Sequence, residues 1–300
     1  MKNFRPAKYW LLLLFSLAML ALPPAGQASG QKLPGAKLKV LASIPPLADF
    51  ARQVGGDHVD VILLLPPGAS PHTYEPPPKT VQEISEAKIY IEIGAGLEFW
   101  ADRLVAATAA HIITVRCSEG VDLIRGEGRA RSNVDPHIWL DPVISMGIVR
   151  KIEAAFSTAD PEDSVTFKKN AAAYLTRLAG LDREIAERVK GFRTKEYITF
   201  HPAWSYFARR YGLKVAGVIE ETPGKEPAPK HIDRILSRIR AMKTKVVFAE
   251  PQFSPRLAEA IAGEAGGRVL FLDPLGGEKG RQTYRELMEY NLSVMEKAMK

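Results

Sequence analysis

Cysteine is almost missing from this chain. The 300 residues contain one, Cys117, which excludes an internal disulfide and any metal site built from several thiolates. Past the first 28 residues no apolar run approaches the ~20 residues a bilayer-spanning helix requires. The 23 glycines and 22 prolines show no Gly-X-Y period, which excludes a collagen-like rod. No two histidines stand at i, i+4 and no H-E-x-x-H occurs, so the helical metalloprotease motif is lacking. Excess charge is also scarce. The net charge is +7, and Lys2, Arg5 and Lys8 supply three of those charges in a leading segment without acids. The small surplus left over is weak ground for nucleic-acid binding.

What remains is globular: 46% of residues are hydrophobic and 25% charged, against the high polarity of disordered chains. The length suits two domains, each large enough to bury its own core. The N-terminus reads as a secretory signal peptide. Three cations precede an apolar run from Tyr9 to Leu22, Pro23 and Pro24 end it, and Gly26-Gln27-Ala28 places small residues three and one before a cut after Ala28. No cysteine follows the run, so the expected mature protein is soluble, exported and without a lipid anchor. Export also argues against a nucleic-acid partner.

From Lys37 onward the chain alternates strand and helix patterns. Strands are expected at 37–42, 58–65, 88–93, 112–116, 196–200, 214–219, 245–249 and 268–272. Helical patterns fall between them, and such alternation predicts parallel sheets with helices on their faces. One segment stands apart. Asp160 suits an N-cap and Pro161 a first helical position. Phe167, Ala171, Tyr174, Leu178, Leu181, Ile185 and Val189 then recur at steps of three and four, up to Gly191. A coiled-coil segment would show the same stripe. Set among βα units, the stripe instead predicts a long helix joining two lobes, with a kink conceivable at Gly180. The expected organisation is a signal peptide at 1–28, an N-terminal α/β lobe at 29–160, a linking helix at 161–191 and a C-terminal α/β lobe at 192–300.

Four polar residues follow predicted strands or lie in the loops beyond them: His72, His137, His201 and Asp273. Ligands of open parallel sheets bind beyond the carboxyl ends of the strands, and a proline flanks each of the four. Three imidazoles and a carboxylate would complete a shell for a borderline divalent cation. Spacing alone reads each histidine as a capping or core residue before a ligand. Glu250 follows another strand end and reads as a group behind the ligands. Trp139 and Trp204 flank ligand positions and would wall the cleft. His58, His111 and Cys117 read as structural, and His231 as facing solvent.

Longer motifs add a resemblance. Pro71-His72-Thr73-Tyr74-Glu75-Pro76, Asp135-Pro136-His137-Ile138-Trp139-Leu140-Asp141-Pro142, Phe200-His201-Pro202-Ala203-Trp204 and Leu272-Asp273-Pro274-Leu275-Gly276 stand in order. With Glu226-Pro227-Ala228-Pro229 they make the mature chain resemble the periplasmic zinc- or manganese-binding proteins of ABC metal importers, the cluster A-I group with a rigid linking helix. The resemblance implies His72, His137, His201 and Asp273 as ligands, zinc as the ion with manganese or iron as alternatives, and an ABC transporter permease as partner. It implies a periplasmic monomer rather than an enzyme. One departure is visible. Many zinc-specific members carry a His-rich loop before the second ligand, whereas residues 119–134 here hold Arg125, Arg129 and Arg131 and no histidine. A metal-dependent hydrolase, with Glu250 as base, and a surface adhesin are the competing classes.

Overall fold

The computed structural model describes residues 1, 36–77, 80–108, 111–125, 134–243 and 245–300. The expected signal peptide, Arg129 and Arg131 lie outside them. Two four-stranded sheets, wholly parallel, carry the fold. The first contains β1 (Leu38–Ala42), β2 (Val59–Leu63), β3 (Ile89–Glu92) and β4 (Ile113–Arg116) in the order β2-β1-β3-β4. The second contains β5 (Glu196–Thr199), β6 (Lys214–Val218), β7 (Val246–Ala249) and β8 (Arg268–Phe271) in the order β6-β5-β7-β8. The same topology thus occurs twice without an evident sequence repeat.

Period-two alternation sorts the side chains into layers. In β1, Val40 and Ala42 face one core and Leu41 another; in β7, Val246 and Phe248 divide from Val247 and Ala249 in the same way. The outer face of the first sheet meets Ile84 of α2 (Thr80–Ser85) and Trp100 and Ala101 of α3 (Phe99–Thr108). The outer face of the second sheet meets α7 (Pro229–Ala241) and α8 (Arg256–Glu264). The two inner faces share one continuous apolar cluster. It also takes in α1 (Pro45–Gly55), α4 (Pro142–Ala159), α5 (Ser164–Lys190), α6 (Ser205–Tyr211) and α9 (Tyr284–Met299). Each sheet has a private outer core, and the inner core is common to both.

Helix α5 is the long element the stripe predicts. Its 27 residues extend about 40 Å at 1.5 Å per residue, run unbroken through Gly180, and bury all seven stripe residues. The start falls at Asp160 and Pro161 as expected, with a tighter first turn. Asp160 still donates its N–H to Phe156 at the end of α4, and Pro161–Asp163 form a 3-10 turn before α5 begins at Ser164. Proline fixes φ but does not decide between the tighter and the wider turn. The early half of α5 is tied to α1, where Asn170 donates to the Val54 carbonyl at 3.0 Å. The later half is tied to the second lobe. Arg210 of α6 grips Asp182 at 2.9 and 2.6 Å, and Arg188 grips Glu296 of α9 at 2.9 and 2.7 Å.

A buried carboxylate joins three of these helices. Asp49 of α1 accepts the N–H of Tyr284, the first residue of α9, at 2.9 Å and the Tyr174 hydroxyl of α5 at 3.2 Å. Removing it leaves two buried donors without an acceptor. We expect Asp49→Ala to cost about 2–3 kcal/mol, the sum of a lost helix-end acceptor and a stranded donor. Urea unfolding should stay a single transition, because the inner core is shared. An unchanged midpoint, or two separate transitions in the parent protein, would contradict this account of the packing.

Candidate metal centre

In each sheet the chain order reverses between two central strands, β1 and β3 in the first, β5 and β7 in the second. A crevice opens there beyond the strand ends. In the first lobe that crevice is filled from within. Glu98 accepts the Ser43 hydroxyl at 2.7 Å and the N–H groups of Ile93 and Gly94 at 2.7 and 3.0 Å, and burial pushes its pKa up to about 8. In the second lobe the crevice holds His201, just past β5, and Glu250, directly after β7. The first lobe supplies its imidazoles from longer loops instead, His72 after β2 and His137 after β4.

Each histidine is held by its own loop. The Trp100 indole N–H donates to the Pro71 carbonyl at 3.0 Å, and the Thr73 N–H to the Ser70 carbonyl at 3.2 Å, which bends the chain around His72. Asp135 folds back on His137, accepting its backbone N–H at 2.9 Å and facing its Nδ1 at 2.7 Å. Tyr206 of α6 donates to the Asp135 carbonyl and accepts from the Ile124 N–H, both at 2.9 Å, so the second lobe buttresses the loop of the first. The carboxylate of Glu250 lies against Nδ1 of His201, and the Phe253 ring tilts over that imidazole with 5.2 Å between centroids.

These supports turn the three Nε2 atoms toward one point. His72 and His137 approach to 3.2 Å, and His137 and His201 to 3.3 Å. Asp135 accepts at Nδ1 of His137, which assigns that ring proton there; Glu250 sets its charge beside Nδ1 of His201. Nε2 of His137 is then unprotonated, and its lone pair faces the other two rings. Zinc–nitrogen bonds of about 2.0–2.1 Å at tetrahedral angles place nitrogens about 3.3–3.4 Å apart, which matches. The cavity between them is small, with room for one ion or water. Burial, then the two neighbouring imidazoles, lower the pKa of His72 well below the ordinary 6.5, which keeps it neutral as a ligand must be.

The structure gathers His72, His137 and His201 as one group of ligand atoms. Asp273 is not in that group. It is buried beside the cavity, where its Oδ1 accepts from Gln252, Leu275 and Gly276 and its Oδ2 faces Arg281. Trp139 lines the cavity and donates to the Pro274 carbonyl at 2.7 Å. Trp204 is buried against Phe207 and is not among the lining residues. His58 instead pairs with Asp163 at 2.9 Å, and the His231 ring lies 2.8 Å from the Val218 carbonyl. Sequence reasoning missed Asp135 as the partner of His137, although the Asp-Pro-His order was a usable signal. It also missed Gln252, Phe253 and Asn291, which reach the site from distant positions and carry no local mark.

The carboxylates behind the imidazoles should matter almost as much as the ligands. Asp135→Asn should weaken divalent-cation binding about 10–100-fold with little change in the unfolding midpoint of the metal-free protein. Unaltered affinity would show that the Nδ1 contact does not orient the ring.

Comparison with known proteins extends this picture. The family model described as zinc-uptake complex component A, periplasmic (ZnuA) matches residues 40–298. The zinc-binding lipoprotein AdcA of Streptococcus pneumoniae serotype 4 is 31% identical over 301 residues, covering 95% of this chain and 60% of the relative. This chain thus spans well under two thirds of that relative's length. The high-affinity zinc uptake system protein ZnuA of Bacillus subtilis is 29% identical over 283 residues, covering 88% of each chain. A crystal structure of ZnuA superposes with a TM-score of 0.80 at 31% identity, covering 87% of this chain and 99% of the other. The match over most of the chain, together with the shared two-sheet fold, places the protein in the family of periplasmic zinc-uptake complex component A.

Proposed function

We propose that this protein captures a zinc ion outside the inner membrane and hands it to the permease of an ABC importer. The observation that carries the reading is the convergence of three imidazoles in a cavity sized for one ion, with Nε2 of His137 at 3.2 and 3.3 Å from those of His72 and His201 and all ligand atoms within 4.8 Å of one another. His72, His137 and His201 are the proposed ligands, and Asp273 the fourth once its present contacts yield. Three imidazoles suit zinc better than manganese, which prefers oxygen donors, and the Irving–Williams order favours zinc over manganese or iron. The relatives known as zinc-binding and zinc-uptake proteins point the same way.

The same geometry speaks for a carrier over an enzyme. A catalytic zinc keeps an open position and a base beside it, whereas Glu250 is occupied at Nδ1 of His201. A fourth protein ligand would close the shell. In this reading residues 1–28 are removed on export, 29–160 and 192–300 are the two lobes, and 161–191 link them as a periplasmic monomer. No helix among the described residues is long and apolar enough to cross a membrane. The shared inner core and the unbroken α5 leave little slack between the lobes, so X-ray scattering profiles with and without metal should nearly coincide. A large fall in radius of gyration on loading would contradict that.

Equilibrium dialysis should find one zinc per chain, and His201→Ala should lose more than about a hundredfold in affinity, beyond the effect of removing a supporting carboxylate. Manganese displacing zinc at equal concentration would overturn the assignment. Acid should weaken binding, since ligand imidazoles must be neutral and histidine ordinarily titrates near about 6.5. For the metal-free protein the sign follows from His72. The unfolded chain takes up that proton near 6.5 while the folded chain resists until lower pH. Stability should therefore fall as pH drops below 6.5 toward the lowered value. Equal zinc affinity at pH 5 and pH 8 would be incompatible with a three-imidazole site.

A further inference from the structure

Asp273 is tied more firmly than a waiting ligand needs to be. Its Oδ1 accepts from Gln252 Nε2 at 2.9 Å and from the N–H groups of Leu275 and Gly276, both at 3.0 Å. Asn291 of α9 clamps the backbone on either side, accepting the Asp273 N–H at 2.8 Å and donating to its carbonyl at 2.7 Å. Only Oδ2 is left. Arg281 Nε stands 2.8 Å from it, yet the two atoms are misaligned. Both are buried and neither makes a hydrogen bond. The contact is charge against charge without the directional bond that would lock it.

Arg281 is itself well provided for. Its guanidinium also meets the Glu278 carboxylate and lies over the Tyr290 ring, 4.6 Å from the centroid. Its carbonyl accepts the Gly277 N–H at 2.8 Å. The turn is shaped for that bond: Gly276 has φ +71°, and a Cβ there would come within 2.6 Å of the Arg281 carbonyl. If Oδ2 turns to a cation, Arg281 keeps an anion and an aromatic face, so no charge is stranded.

We propose that Arg281 is a positioning residue that sets how tightly the ion is held. It is the counter-ion of Asp273 when the site is empty and competes with the cation for Oδ2 when it fills. This rests on the metal-capture reading above. An unpaired buried carboxylate is costly, so Arg281 stabilises the empty site. It opposes the loaded one, because a fixed cation stands against the entering ion. A carrier that must surrender its cargo gains a faster release from that opposition.

The test is a cycle of Arg281→Met, Asp273→Asn and the double variant, with zinc affinity read by competition with a chromophoric chelator and release by stopped flow. Arg281→Met should bind zinc about tenfold more tightly, the size of effect one nearby charge exerts on an ionic equilibrium, and release it more slowly. In the Asp273→Asn background the same change should do almost nothing. Cobalt(II) separates this role from a structural one, because a variant that merely disturbed the site would shift the visible spectrum of the bound ion. Its visible spectrum should be alike in the parent and Arg281→Met, and altered by Asp273→Asn. If Arg281→Met fails to fold, Arg281→Gln takes its place. Unchanged or weaker binding in Arg281→Met overturns the inference, as does equal tightening with and without Asp273, which would mark a general field effect. A parent protein that binds no zinc would overturn the metal-capture reading itself, whereas normal zinc binding with an inert Arg281 would overturn only this inference.

Discussion

Three imidazole nitrogens from two lobes are held around one buried point, and the rest of the molecule is organised around that constraint. Asp135 lies at Nδ1 of His137 and Glu250 at Nδ1 of His201, each on the side of the ring away from the cluster. Each ring alone is unremarkable. Their convergence within one small cavity is what creates affinity for a cation, since an ion at the centre can be coordinated by all three.

Holding the rings there is a task for the scaffold. Two rings come from one lobe and one from the other, so any slack between lobes would be felt as slack in the nitrogen triangle. The structure removes that slack in three ways. The inner core is continuous between the sheets. Helix α5 is gripped by both lobes along its length. Single bonds then cross at the site itself: Trp139 to the Pro274 carbonyl, and Tyr206 to the loop of Asp135. A site built this way is preorganised, and its selectivity is set by donor type and ring spacing more than by closure around the ion. Its cost is slow surrender of the cargo, which gives the ion pair beside Asp273 its interest.

Much of the architecture was legible because it is periodic. Strand faces show in the alternation of residues such as Val40, Leu41 and Ala42, and α5 shows in a stripe that needs only local geometry to read. The start at Asp160 and Pro161 was legible too, although its first turn is 3-10 and the α-helix proper begins at Ser164. The common inner core was invisible: composition tells which faces are apolar, not which apolar faces meet. The site was legible only in part. His72 and His137 are 65 residues apart in sequence and touch through loops, so no spacing rule unites them; the longer proline-flanked motifs and their resemblance to a family did. Partners such as Gln252, Arg281 and Asn291 are ordinary residues in ordinary surroundings until the fold brings them to Asp273.

The central claim is that the cation sits among three imidazole nitrogens. X-ray absorption at the zinc edge tests it directly on protein loaded with one equivalent of zinc. The account predicts a four-coordinate shell of nitrogen and oxygen, dominated by imidazole scattering, with zinc–nitrogen distances of about 2.0–2.1 Å. A sulfur contribution, or a six-coordinate oxygen shell without the imidazole signature, would contradict it.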